Sequence, residues 1–172
     1  GERFVAAPQA GRWTSSAVIG QVVRAGDVIG TLGEIAVRAP LDGTLRGEVF
    51  PDVAPALQRW RDESIDVAIY SSGSVLAQRL IFGHTPDGDL TPRISQFFDA
   101  TIGPKREADS YRHIASELHR PPEELLFLSD VHAELSAARA AGFKALLCVR
   151  PGNPEPPRED ETTIQTFDDI IV

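Results

Sequence analysis

The stretch VAIYSSGSVLAQRL, Val67–Leu80, decides the fold of this chain. Apolar residues run up to Ser71, Ser72 and Gly73, and a helical pattern then begins. A strand giving way to a helix across such a turn has two readings. Ser and Gly are ordinary turn and cap residues. Hydroxyls and backbone N–H groups at a helix start also form a phosphate site. Sequence on either side has to choose between them.

Downstream, the same alternation repeats. ADSYRHIASEL places Tyr111, Ile114, Ala115 and Leu118 on one helical face. LLFLSD reads as a strand, and VHAELSAARAAG as an Ala-rich helix closed by Gly142 at its C-terminal end. KALLCVR is a further strand, RPGNPEPPREDE a Pro-rich charged loop, and FDDIIV a short closing helix or strand. Upstream, PDVAPALQRWRDE opens with Asp52 as an N-cap and sets Val53, Ala56, Leu57 and Trp60 on one face. Alternating helices and strands predict an α/β, Rossmann-like parallel sheet covered by helices over residues 48–172.

Residues 1–47 follow a different pattern. VRAGDVIGTLGEIAVRAPLDGTLRG alternates short apolar runs with Gly-Asp, Ala-Pro and Asp-Gly turns, the spacing of a small all-β module. The expected division is therefore 1–47 and 48–172.

Composition narrows the function. The chain has 172 residues, 42% hydrophobic and 24% charged, as in ordinary globular proteins. A net charge of −8 argues against a general nucleic-acid surface. No apolar run approaches the ~20 residues of a membrane span. Cys148 is the single cysteine, so no intrachain disulfide can form and a reducing cytoplasm is the simplest home; a monomer is the expectation. The first residues lack the apolar core of a signal peptide, and the chain does not begin with Met, as a trimmed chain or fragment would not.

In an open parallel sheet, ligands bind outside the carboxyl ends of the strands. Ser71 and Ser72 follow VAIY, Asp130 follows LFLS, and Lys105 lies in IGPKRE before the Tyr111 helix. Hydroxyls, an ammonium and a carboxylate converging there would suit a phosphate and a hard cation. Singly, each has a plain structural role: turn and cap for the serines, helix cap for Asp130, solvated charge for Lys105. His132 lies two residues beyond Asp130 and could reach the mouth of the same crevice.

YSSGSVLAQRLIFGHTPDGDLTP, FFDATIGPKREADSYRHIA, LLFLSDVHAELSAARAAGF and VRPGNPEPP together resemble the enolase-phosphatases (acireductone synthases) of methionine salvage, within the haloacid-dehalogenase superfamily. The resemblance runs from about Gly47 to the end. It implies a Rossmann-like core, Mg2+ as cofactor and a small phosphorylated substrate, 2,3-diketo-5-methylthiopentyl 1-phosphate, enolised and dephosphorylated to an acireductone. It also implies that Ser71 and Ser72 bind phosphate, that Lys105 offsets charge on phosphate and nucleophile, and that Asp130 holds Mg2+.

The superfamily's nucleophile is an Asp at the end of an N-terminal strand, in this branch roughly Asp-Ile-Glu-Gly-Thr-Thr. The nearest stretch is DVIGTL, with Asp27, Gly30 and Thr31 in matching places and Ile29 where the Glu would stand. Only 44 positions separate Asp27 from Ser71, too few for the family's helical cap. The Gly26-Asp27 pair is itself a turn signal, so Asp27 is read first as a surface turn residue and second as the nucleophile. Residues 1–47 also resemble a biotinyl/lipoyl-type barrel-sandwich module, without a lysine near Gly33–Ile35 to carry a cofactor. The alternative function is a phosphate-binding or interaction protein without turnover, or a fusion fragment.

Overall fold

The structure, a computed structural model, describes residues 13–17, 19–32, 34–39, 43–44, 47–151, 156–159 and 161–170. The described chain divides into two compact units. One takes in the described residues up to Val49 together with Arg79–Thr91; the other holds Phe50–Gln78 and the described residues from Pro92 onward.

The first unit contains five short strands: β1 Trp13–Ser15, β2 Val22–Val23, β3 Val28–Leu32, β4 Ile35–Arg38 and β5 Gly43–Thr44. β3 pairs antiparallel with β1 and β4, and β2 pairs antiparallel with β5. Val23, Ile29 and Ala39 form its small buried cluster. Arg79–Thr91 belongs here through contacts such as the Gly47 N–H donating to the His84 carbonyl (2.8 Å), which the division at residue 47 did not foresee.

The second unit runs α1 Val53–Asp62, β6 Ala68–Tyr70, the start of α2 Val75–Gly83, β7 Gln96–Phe98, α3 Ala108–Leu118, β8 Leu126–Ser129, α4 His132–Ala140, β9 Lys144–Cys148 and β10 Thr163–Ile164. β6 pairs in parallel with β7, and β9 lies parallel between β8 and β10. The expected parallel α/β architecture is thus present, as two hydrogen-bonded sets among the described strands.

The helices form where the apolar period predicts. Tyr111, Ile114 and Ala115 of α3 and Leu135, Ala137 and Ala138 of α4 join Phe98, Phe143 and Leu147 in one core. Tyr111 is fully buried, edge-on to Tyr70 of β6 and to Phe127 of β8. α4 ends as read: Gly142 adopts φ +96°, its N–H donates to Arg139 O, and Phe143 N–H reaches back to Ala138 O. No described helix is long and apolar enough to cross a membrane.

Asp52 departs from the expectation of a capping side chain. It precedes α1, but its carboxylate makes no cap hydrogen bond. It accepts from both terminal guanidinium nitrogens of Arg150 (2.9 and 2.5 Å), the Thr166 hydroxyl (3.1 Å) and the Phe167 N–H (2.7 Å). Burial pushes the Asp52 carboxyl up, but Arg150 and the Phe167 N–H outweigh it and hold it at about 2.

Candidate active site

Every strand of the second unit runs parallel to its neighbours, so each set's carboxyl ends share one edge. Ser71 and Ser72 leave β6, Asp99 leaves β7 and Asp130 leaves β8 at these ends. The predicted residues therefore stand where open α/β sheets bind ligands.

The turn after β6 is fixed from several sides. Ser71 N–H donates to Phe98 O at 3.1 Å, and Ser71 Oγ accepts from Gly73 N–H at 3.1 Å. Capping of α2 falls to other residues: Ser74 Oγ accepts from Ala77 N–H (3.2 Å), and Asp99 Oδ2 accepts from Val75 N–H (3.1 Å). Asp99 also takes the Thr101 hydroxyl and N–H, and these bonds hold its carboxyl below the usual range. Ser71 thus serves the turn as an acceptor and keeps its own O–H proton to donate. Ser72 is exposed. Beneath the turn, buried Gln78 donates to Gly73 O and Phe98 O, both at 2.8 Å, while its Oε1 is buried without a partner.

Lys105 sits on the loop between β7 and α3, and that loop is held by hydroxyls. Tyr70 OH donates to Gly103 O (2.7 Å), Ser110 Oγ to Pro104 O (2.8 Å) and Tyr111 OH to Lys105 O (2.7 Å). Burial first, and the Glu134 charge second, push the Tyr111 hydroxyl far above its ordinary pKa. The Lys105 ammonium pairs with Glu134 Oε2 at 2.6 Å, and Ser129 Oγ donates to the same oxygen at 2.8 Å. The next residue is Asp130, whose side chain is exposed at the end of β8. Lys105 is therefore tied toward Asp130 through Glu134 and Ser129, and toward Ser71 through Tyr70, whose ring centre lies 5.6 Å from Nζ.

Glu134 escaped the sequence reading. It lies in the first turn of α4, and an acid in a helix's first turn close behind Asp130 was the available signal. His132 does not turn to the crevice: it is buried, with Nε2 2.9 Å from Pro156 O and Nδ1 2.8 Å from Glu161 Oε2.

Asp27 belongs to the other unit. It stands at the amino end of β3, in a turn where Gly26 takes φ +90°. Its carboxylate accepts from Arg24 N–H at 2.8 Å. A strand-end nucleophile needs the opposite end of a strand, so the surface-turn reading of Asp27 fits this geometry and the nucleophile reading does not.

For a cation, Asp130 offers one carboxylate. Among the described residues, no group of three or more His, Cys, Asp or Glu is placed to hold a metal ion. Mg2+ commonly takes only one or two carboxylates and keeps water and phosphate oxygens, so Asp130 fits as a single ligand.

Comparison with known proteins gives the family. The model of the haloacid dehalogenase-like hydrolases matches residues 8–142, beginning well before Gly47. The chain belongs to the haloacid dehalogenase-like hydrolases. Among its relatives, the enolase-phosphatase E1 of Synechococcus elongatus is 48% identical over 138 residues, 80% of this chain and 58% of that protein. The enolase-phosphatase E1 of Sorangium cellulosum is 49% identical, covering 80% of this chain and 60% of the relative. The chain thus spans about three-fifths of the length of these relatives. Among solved structures, the UTR4 protein of Saccharomyces cerevisiae superposes with a TM-score of 0.66 at 34% identity, over 73% of this chain and 58% of that one. An L-2-haloacid dehalogenase from Xanthobacter autotrophicus, with chloropropionic acid covalently bound, superposes at 0.57 with 19% identity, over 70% and 58%, and shares the fold.

Proposed function

We propose that this chain carries the phosphate- and cation-holding part of an acireductone synthase, acting on 2,3-diketo-5-methylthiopentyl 1-phosphate in methionine salvage. The carrying observation is the Lys105 ammonium, held between Tyr70 and Glu134 beside the carboxyl ends of β6 and β8. In this reading Ser71 and Ser72 donate to phosphate oxygens, Lys105 offsets their charge, and Asp130 holds Mg2+. The cation, when bound, would polarise the phosphoryl group. The near-half identity to enolase-phosphatases supports the substrate class.

Mg2+-dependent phosphate release from this ester, and from a generic aryl phosphate, tests the reading. Lys105→Ala should lower kcat/KM on the order of 10²–10³-fold, as loss of a charge-stabilising donor does elsewhere. Asp130→Asn should shift the Mg2+ dependence to higher concentrations. Release that ignores both substitutions would reject the assignment.

The second reading, phosphate binding without turnover, is not the one the comparisons favour. Calorimetry with orthovanadate and Mg2+, alongside the release assay, separates the two. Heat without release supports binding alone.

A further inference from the structure

Tyr70 has its backbone in one half of the candidate site and its hydroxyl in the other. It is the last residue of β6, paired with Phe98 of β7, and the chain passes directly from it to Ser71. Its hydroxyl donates to the Gly103 carbonyl at 2.7 Å, two residues before Lys105. Its ring faces the Lys105 ammonium at 5.6 Å. The loop it grips is otherwise held from α3, where Ser110 and Tyr111 take the next two carbonyls.

Lys105 reaches the site on a loop, and a loop ammonium has four rotatable bonds of its own to order. A phosphate group bound by Ser71 and Lys105 together needs both donors placed at once, and misplacement by an ångström is costly. Ser110 and Tyr111 fix the loop to α3, whereas Tyr70 is the member of the hydroxyl row that comes from the serine-bearing strand.

We propose that Tyr70 is a positioning residue, setting the Lys105 loop against the Ser71 turn so that both meet one phosphate group. The inference rests on the phosphate-site reading above and adds to it a residue that touches no substrate.

The substitution Tyr70→Phe keeps the ring over Lys105 and removes only the hydroxyl that holds Gly103. Orthovanadate affinity, measured by calorimetry, should weaken about fivefold, the size of one neutral hydrogen bond. Amide hydrogen exchange should rise in the 99–107 loop and stay unchanged in β8 and β9. Ser95→Ala is the matched control: it removes a hydroxyl-to-carbonyl bond of 2.8 Å, to Val67 O just before β6, and should leave affinity and loop exchange as they were. In a Lys105→Ala background, Tyr70→Phe should cost no further affinity, because its effect passes through Lys105.

The outcomes separate. If Lys105→Ala leaves vanadate affinity intact, or the parent binds none, the phosphate-site reading fails and this inference falls with it. If Lys105→Ala weakens binding while Tyr70→Phe matches the parent in affinity and loop exchange, the site stands and Tyr70 has no positioning role. Equal additional losses from Tyr70→Phe with and without Lys105 would also overturn it.

Discussion

Lys105 and Glu134 face each other across 2.6 Å, 29 residues apart in sequence, and Ser129 donates to the same Glu134 oxygen. Both side chains are largely shielded, 24% and 11% exposed. Removing one partner of such a pair strands the other charge, which costs more than the pair contributes. Glu134→Ala should lower stability by about 3 kcal/mol, seen as a lower urea midpoint at unchanged slope. Glu134→Gln, which can still accept from Ser129, should lose less. Equal losses in the two variants would mean that shape, not charge, matters at this position.

Asp52 supplies an acid-sensitive contact. Its folded pKa is about 2, below the ordinary 3.8, so the folded state favours the carboxylate. The stability this confers is fully present above pH 4 and drains away as pH falls toward 2. A shift of this size corresponds to about 2 kcal/mol. Asp52→Asn should therefore be less stable than the parent by that order at pH 7, and the gap should narrow below pH 4. A gap that stays constant from pH 7 to pH 2 would show that Asp52 acts by packing alone.

Local grammar made the helices legible. Tyr111, Ile114 and Ala115 lie inward because the 3.6-residue period dictates it, and Gly142 ends α4 because its φ of +96° suits glycine. The positions of Ser71, Ser72, Lys105 and Asp130 followed from strand-to-helix order. Long-range choices were not legible. Asp52 reads as a cap, but its partner Arg150 lies 98 positions away and competes successfully for the carboxylate. His132 reads as a neighbour of Asp130, yet as the first residue of α4 it turns to the Pro156 carbonyl. Arg79–Thr91 reads as part of the second half and packs with the first. The apolar runs VAIY and LFLS form strands, β6 and β8, that are largely half-buried, each paired on one edge among the described strands.

Tyr111 should shape the alkaline limb. Burial and the nearby Glu134 charge raise its hydroxyl above the ordinary pKa of 10. The unfolded chain loses this proton near pH 10 while the folded chain keeps it, so stability falls as pH rises beyond 10. Tyr111→Phe removes the titrating group together with the bond to Lys105 O, and should flatten this limb while lowering stability at pH 7 by about 1 kcal/mol. Thermal unfolding at pH 7, 10 and 11 is the measurement. A parent and variant that lose stability in parallel above pH 10 would assign the limb to other groups.

Gly103 is the tightest point of the Lys105 loop, and two separate costs meet there. Its φ is +140°, a backbone conformation that side chains resist. A Cβ built at this position would also lie 2.2 Å from Ser110 Oγ and 3.1 Å from Ser110 Cβ. Ser110 is buried and its hydroxyl is committed to Pro104 O, so it has little room to yield. Gly103→Ala should destabilise by about 2–4 kcal/mol, combining backbone strain with overpacking. Ser110→Gly removes the clashing atoms and leaves the backbone strain in place. The double variant Gly103→Ala/Ser110→Gly should therefore recover part of the loss relative to the sum of the single effects. Urea denaturation of all four proteins measures the coupling. Strict additivity would place the whole cost in the backbone, and full recovery would place it in the contact with Ser110.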